Sequence, residues 1–486
     1  CASISWVRNA VRLSRKAPST TLKTNGSRDE TRKRMTDSTS TADLNHLAQK
    51  HLWPCFSDLT GDHPIIVRGE GCYVFDDEDN RYIDGLSGLF LTNVGHGRTE
   101  LAQAGYEQAN QLHFFPLWTF LHPTAIKLAA KLASLAPGDL NRVFFGSGGG
   151  DAVETAWKLI KQYFQLTGQP KRHKVIARHI AYHGTTLGAL SITGVPEIRD
   201  LYKPLIPGTF HVRNTNAFMQ DEQGEQLAEA CAAEIEEVIL REGPETVAAV
   251  FLEPVQNAGG CLVPPPTYFQ RVREICNRHG VLLVSDETIC AFGRLGYMFG
   301  CERYDYVPDI ITCAKGLTSG YAALGATIVS DRLAEPFLDP DQVFEHGITY
   351  SGHPVSCAVA LANIAIMERE GLPEHVLKHE GAFRAELETL YDLKFVGDIR
   401  GAGYFYGIEL VKDSTTQEHF SETECDQLLG EILSPRTFEL GLICRTEDKA
   451  EPVIQIAPPL IAGPDEFREI VRILRQAITE AQEIMT

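Results

Sequence analysis

Residues 140–166 read LNRVFFGSGGGDAVETAWKLIKQYFQL, and their order decides the class of fold. A short run rich in β-branched and aromatic residues, Val143–Phe145, predicts a strand. It passes through Gly146, Gly148, Gly149 and Gly150 into a segment where Ala152, Val153, Ala156, Leu159, Ile160, Tyr163 and Phe164 recur at helical spacing. That spacing predicts a helix over 151–166 with one face laid on a sheet. The same alternation continues: strands are expected at Val175–Ala177, Val247–Leu252, Val281–Val284, Ile310–Thr312 and Ala326–Val329, separated by longer helical segments. Strand and helix in turn predict an α/β fold on a mostly parallel sheet with both faces covered by helices. After residue 361 the pattern becomes helices mixed with a strand candidate, YFYGIELV at 404–411, and an amphipathic closing helix over 464–484, which predicts a smaller α+β domain.

Composition limits the ligands. With 486 residues, 43% of them hydrophobic, the chain can bury more than one core. Its net charge of −19 argues against nucleic acid and anionic membrane, because phosphate binding needs a basic face, so small molecules are the expected ligands. Twelve scattered cysteines include no C-x-x-C pair, which points away from a zinc ribbon or disulfide framework and toward a reducing compartment. No apolar stretch approaches the roughly 20 residues of a membrane helix. The first 44 residues are rich in Arg, Lys, Ser and Thr, and two readings of them stand. One is a flexible tail on a cytoplasmic protein, with Met35 as a natural start; the other is an organelle transit peptide.

Three features lie at strand ends, where open α/β sheets bind ligands. The glycine turn at 146–150 lets backbone N–H groups approach an anion and adds the dipole of the following helix; it also serves as a plain structural turn. It is neither G-x-G-x-x-G, since Asp151 holds the third glycine position, nor a P-loop, which needs a lysine. The apolar strand in VLLVSDETIC delivers Asp286, a carboxylate that needs a cationic partner such as a protonated ring nitrogen, or else caps or salt-bridges locally. In DIITCAKGLTSG, Lys315 ends another apolar run, and a lysine deprived of water can give up its proton and form an imine with an aldehyde. Phosphate cradle, strand-end Asp and strand-end Lys together match pyridoxal phosphate, and Tyr182 in RHIAYHGTT offers an aromatic to stack on its ring. His179 and His183 have metal-helix spacing, but Gly184 and the following threonines oppose a helix, and zinc is discounted.

The ordered set SGGGDAVETAWK, AYHGTT, EPVQNAGG, DETICAFGRLG, AKGLTSGY and TYSGHP resembles the class III, or omega, pyridoxal-phosphate-dependent aminotransferases. The resemblance runs from about residue 50 to 486 and implies an aspartate-aminotransferase-like fold, that is, fold type I. It implies a tail at 1–44, an N-terminal segment of the small domain at 45–94, a large cofactor domain at 95–360 and a C-terminal small domain at 361–486. It further implies a homodimer, able to pair into a tetramer, with active sites at the subunit interface. Carried over by residue, Lys315 forms the imine and moves the proton, Asp286 pairs with the pyridine N–H, and Tyr182 and Thr288 face the two sides of the ring. Gly149 and Gly150 bind phosphate, Thr349 reaches the phosphate of the neighbouring subunit, and Glu253 is an acid near the cofactor. Arg445 in GLICRTED matches a mobile arginine that binds carboxylates.

Departures from the family pattern bear on substrate. Relatives using 2-oxoglutarate carry a glutamate within EPVQ-x-x-G-G to hold that arginine; here the position is Ala258, which favours a pyruvate-using enzyme of omega-amines or omega-amino acids. Trp53 resembles that subgroup's pocket aromatic, with Leu52, Leu117 and Trp118 as further wall candidates. Gly150 stands where many relatives have serine, and Asp151 where glutamate is more usual. Alternatives are a 2-oxoglutarate-dependent aminotransferase, an aminomutase or decarboxylating relative, a dehydrogenase, or a non-catalytic α/β binding protein.

Overall fold

The computed structural model describes residues 41–57, 59–447 and 452–485. Among these residues, fifteen strands form three sheets. In chain order they are β1 (Ile66–Glu70), β2 (Tyr73–Asp76), β3 (Arg81–Asp84), β4 (Leu140–Gly146), β5 (Lys174–Arg178), β6 (Thr209–Val212), β7 (Val247–Leu252), β8 (Leu282–Asp286), β9 (Ile310–Cys313), β10 (Gly325–Ser330), β11 (Val396–Ala402), β12 (Phe405–Leu410), β13 (Leu442–Ile443), β14 (Arg445–Glu447) and β15 (Val453–Ile456).

The central sheet has the order β4-β10-β9-β8-β7-β5-β6. Strands β5 to β9 run parallel, while β10 is antiparallel to both its neighbours, so β4 points the same way as β9. Side chains alternate between faces along each strand. Ala249, Phe251, Val284 and Ile310 pack with Val153, Trp157 and Ile160 of helix Gly149–Leu166. Val250, Leu252, Leu283 and Ile311 join Ile235 and Ile239 of helix Gly224–Glu242 and Phe269 and Val272 of helix Tyr268–His279 on the other face. Each large side chain buried here contributes about 1.5–3 kcal/mol, which holds the strand ends rigidly in place.

Two smaller sheets flank this core. One, β1-β2-β3-β13, joins the N-terminal segment to the C-terminal quarter through the parallel pair Leu442↔Ile83. The other is β11-β12-β15-β14. Four expectations need correction. Helix Gly149–Leu166 starts two residues before Asp151, because the glycines of the turn adopt its first turn. The edge strand β6 goes unread in the sequence, since TFHV is short and mostly half-buried. Helix Pro354–Glu370 runs through the 360/361 boundary, packing its buried face on the large domain. Helix Thr41–His51 begins inside the expected tail, with Asp43 in its first turn and Lys50 and His51 in its last, as the helix dipole favours. Residues 1–40, and with them the tail and transit-peptide readings, lie outside the described residues. No helix among the described residues is long and apolar enough to cross a membrane.

Candidate active site

Because β4, β7, β8 and β9 share a direction, their C-terminal ends meet at one edge of the sheet. There the glycine turn after β4, Glu253 after β7, Asp286 ending β8 and Lys315 just past β9 line one cavity of about 390 Å³ with Tyr182 and Thr288.

Lys315 is held under strain. Its φ of 44° lies in the left-handed region that costs a non-glycine residue roughly 1–3 kcal/mol. The turn it opens is pinned by Asn363 Nδ2, which donates to the carbonyls of Gly316 (2.8 Å) and Leu317 (3.0 Å). Burial pushes the amine down from 10.5 to about 8; Asp286 opposes this and the charge of Arg445 adds to it. The Nζ lies 5.6 Å from the ring centroid of buried Phe90. A free amine, not the ammonium, attacks an aldehyde. The apo protein is therefore expected to capture pyridoxal phosphate about tenfold faster per pH unit up to about 8 and then level off, as read by stopped-flow absorbance. A climb continuing toward pH 10 would show a solvated lysine.

Asp286 is buried and saturated with donors. Oδ1 accepts from Thr288 N (3.1 Å), Thr288 Oγ1 (2.5 Å) and Thr312 Oγ1 (3.1 Å), and Oδ2 faces His183 Nδ1 at 2.8 Å. Burial alone would raise its pKa, but the hydrogen bonds from His183 and Thr288 outweigh it and the carboxyl stays below its ordinary value. It therefore presents a fixed negative charge to the cavity. His183 is the functional neighbour that sequence reasoning missed: weighed only as a metal ligand, it instead orients Asp286. The signal was present, since it adjoins Tyr182 in AYHGTT. Glu253 differs from Asp286, for burial raises its pKa, and its Oε2 accepts from Asn257 N at 3.0 Å.

The turn before helix Gly149–Leu166 forms an anion cradle. Gly149 and Gly150 are its first two helical residues, so their N–H groups have no carbonyl partner in the helix. A Cβ on Gly149 would meet Thr288 Cγ2 at 2.8 Å, so only glycine lets this turn close on Thr288. Asp151 turns back to accept from Ser147 N (3.0 Å), which shapes the loop from behind. A phosphate group fits the cradle, a protonated ring nitrogen fits Asp286, and an aldehyde fits Lys315.

A family model, aminotransferase class-III, matches residues 59–478. The chain belongs to the class-III aminotransferases. It is 58% identical over 443 residues to a probable aminotransferase of Mycobacterium tuberculosis, covering 90% of this chain and 95% of that protein. It is 36% identical to the putrescine–pyruvate aminotransferase of Pseudomonas aeruginosa, covering 90% of this chain and 96% of that protein. The crystal structure of the omega transaminase from Pseudomonas jessenii in complex with PMP superimposes with a TM-score of 0.86 at 33% identity, covering 91% of this chain and 98% of that one. This aminotransferase is thus a pyridoxal-phosphate enzyme of fold type I, as the six motifs imply. When bound, the cofactor supplies an aldehyde and an electron-accepting pyridine ring. The aminotransferase contributes the charge of Asp286, the anion cradle, and in Lys315 a nitrogen that can take and return a proton.

The substrate residues expected from sequence do not all reach the cavity. Leu52 and Trp53 are 63% and 80% exposed just beyond helix Thr41–His51, so the expected pocket aromatic stands on the surface of its own chain. An aromatic that the aminotransferase sets beside Lys315, besides Tyr182 in the same cavity, is Phe90. Its segment, with left-handed Ser87 (φ 51°) and Phe90 (φ 62°), folds in where hydropathy alone gives no hint. Leu117 is half-buried against Gly352, and Trp118, 73% exposed, lies against Gly347; both flank exposed Thr349, outside the cavity. Ala258 is buried behind Tyr182 in a small apolar cluster. Arg445 sits on β14, and its charge acts on both Lys315 and Tyr182. His179 joins no group of three metal-ligating side chains among the described residues.

Proposed function

We propose that this aminotransferase moves the amino group of a primary amine or omega-amino acid to pyruvate in two half-reactions through one pocket. The observation that carries the proposal is the pairing of Arg445, whose charge reaches Lys315, with Ala258 where a carboxylate would hold the arginine. Arg445 can then fork the carboxylate of a small oxo acid and withdraw from a donor that has none. The identity to a putrescine–pyruvate aminotransferase supports the same donor and acceptor classes. The deciding experiment follows visible absorbance: 1-phenylethylamine should bleach the cofactor band and pyruvate restore it. Recovery only with 2-oxoglutarate would overturn the acceptor assignment.

Arg445→Ala is expected to raise the KM for pyruvate about 10- to 100-fold, the worth of a charge-assisted hydrogen bond, and to change an uncharged aldehyde acceptor far less. Equal losses with both acceptors would remove Arg445 as the carboxylate ligand. We also propose a homodimer with the second copy completing the site. Supporting it, exposed Trp118 lies against Gly347 and exposed Tyr350 adjoins Thr349 and packs on Phe114, with exposed Phe115 and Phe120 in contact on the same segment, an aromatic concentration that marks interfaces.

A further inference from the structure

Arg294 is fully buried, and among the described residues its hydrogen bonds all go to uncharged oxygens. Nη1 donates to the carbonyls of Tyr404 (3.0 Å) and Pro458 (2.6 Å) in the C-terminal quarter. Nη2 donates to Ser87 Oγ (3.1 Å) and Asn93 Oδ1 (2.8 Å) in the N-terminal segment. A guanidinium taken out of water onto neutral acceptors is costly, so its use lies in what it joins.

Ser87 and Asn93 stand three residues before and three after Phe90, the ring beside Lys315. Ser87 and Phe90 are left-handed, at φ 51° and 62°, a conformation such residues keep only where their surroundings impose it. Arg294 imposes it from a single nitrogen that grips both ends of the bend. Each end has a second tether: Ser87 Oγ donates to Ala457 O (2.6 Å), and Asn93 Nδ2 donates to Phe292 O (2.8 Å). A guanidinium only donates and a carbonyl only accepts, so the Asn93 amide has one orientation. Its nitrogen lies so close over Gly316 that a Cβ there would not fit, and the bend carrying Phe90 thus rests on the turn that Lys315 opens. The Phe90 ring meets Phe405 edge-on, with centroids 5.6 Å apart, and is 1% exposed. Lys315 Nζ, 5.6 Å from the ring centroid, is near the limit of cation–π attraction, so the main effect of the ring on the amine is to exclude water.

We propose that Arg294 is a positioning residue for Phe90: by gripping Ser87 and Asn93 it holds the ring over Lys315 and keeps that flank of the amine dry. The role is independent of which amine or oxo acid reacts, since it prepares Lys315 before any substrate binds.

The test is the pH profile of pyridoxal phosphate capture by the full chain after removal of the cofactor, followed by stopped-flow absorbance. It compares the parent, Phe90→Ala, Arg294→Lys and the double variant. Only the free amine reacts, so the pH at which the rate levels off reports how dry Lys315 is. The other groups acting on it, Asp286, Arg445, Glu253 and Cys290, stay in place in every variant. Phe90→Ala should move the levelling point from about 8 upward by about one unit. Arg294→Lys, whose single ammonium cannot fork to both ends of the bend, should move it the same way by at least about half a unit, about threefold in free amine at a given pH. The double variant should go no further than Phe90→Ala, because a residue acting through the ring has nothing left to act on. A residue that only maintains the fold would lower the melting temperature and slow capture at every pH without moving the levelling point. Should Arg294→Lys fail to fold, Ser87→Ala removes one grip, keeps the buried charge and should give a smaller shift in the same direction. The inference is overturned if Phe90→Ala, or Arg294→Lys and Ser87→Ala, leave the levelling point where it is, or if the shift from Arg294→Lys adds in full to that from Phe90→Ala.

Discussion

Lys315→Ala is expected to lower transamination by at least about 10⁴-fold while leaving far-UV circular dichroism and the melting profile close to those of the parent. The expectation follows from what else surrounds the cavity. Among the described residues, Lys315 is the only lysine on its wall. His183, another base on the wall, is engaged with Asp286 at 2.8 Å and buried. Burial has brought the Lys315 amine to about 8, so near neutral pH it can both give up and recover a proton, which an unperturbed lysine does poorly. Alanine keeps the backbone turn, since Asn363 grips carbonyls and not the lysine side chain. Turnover within about tenfold of the parent would mean that another group moves the proton, and the mechanistic role of the strained turn would be lost.

Asp286→Asn should be the next most damaging change. Asparagine keeps the volume but removes the charge and turns one oxygen into a donor, which then faces either the threonine hydroxyls or His183. Losing the preorganised charge that faces the ring nitrogen is expected to lower kcat/KM by about two to three orders of magnitude, the usual cost of removing one such electrostatic contact. The pH dependence separates this from simple misfolding. Asp286 is held anionic by His183 and Thr288, so the parent should keep its charge throughout the range where the fold survives, and loss of activity on mild acidification should come from Lys315 and not from this carboxylate. An Asp286→Asn enzyme within about threefold of the parent would show that a carboxylate at this strand end is not needed to hold the ring nitrogen's positive charge.

Much of the site was legible because its chemistry sits where local pattern is strongest. β8 and β9 are all-apolar runs, and the residues ending them, Asp286 and Lys315, are conspicuous against that background. The glycine turn announces itself by composition, and the family match confirms the class of enzyme read from six motifs. Less legible were residues whose role depends on a distant neighbour. Phe90 reads as one apolar residue among several, and nothing in GLSGLFL says that left-handed Ser87 and Phe90 fold it over Lys315. Trp53 drew attention by its resemblance to a pocket aromatic, yet among the described residues it stands 80% exposed. β1, β2, β3, β6, β11, β13, β14 and β15 went unread because short or glycine-interrupted strands carry little periodic signal and are decided by pairing.

By itself the sequence determined the alternation of strand and helix, the order of the motifs, the residue types available for imine, phosphate and ring-nitrogen chemistry, and the absence of a glutamate at Ala258. Those depend on spacing along the chain and on side-chain identity. Tertiary structure alone decided that β4, β7, β8 and β9 end at one edge, that burial pushes the Lys315 amine down to about 8, and that His183 locks Asp286. Those are matters of dielectric surroundings and of contacts between residues far apart in the chain, and such contacts exist only once the sheet has paired and the lobes have closed on each other.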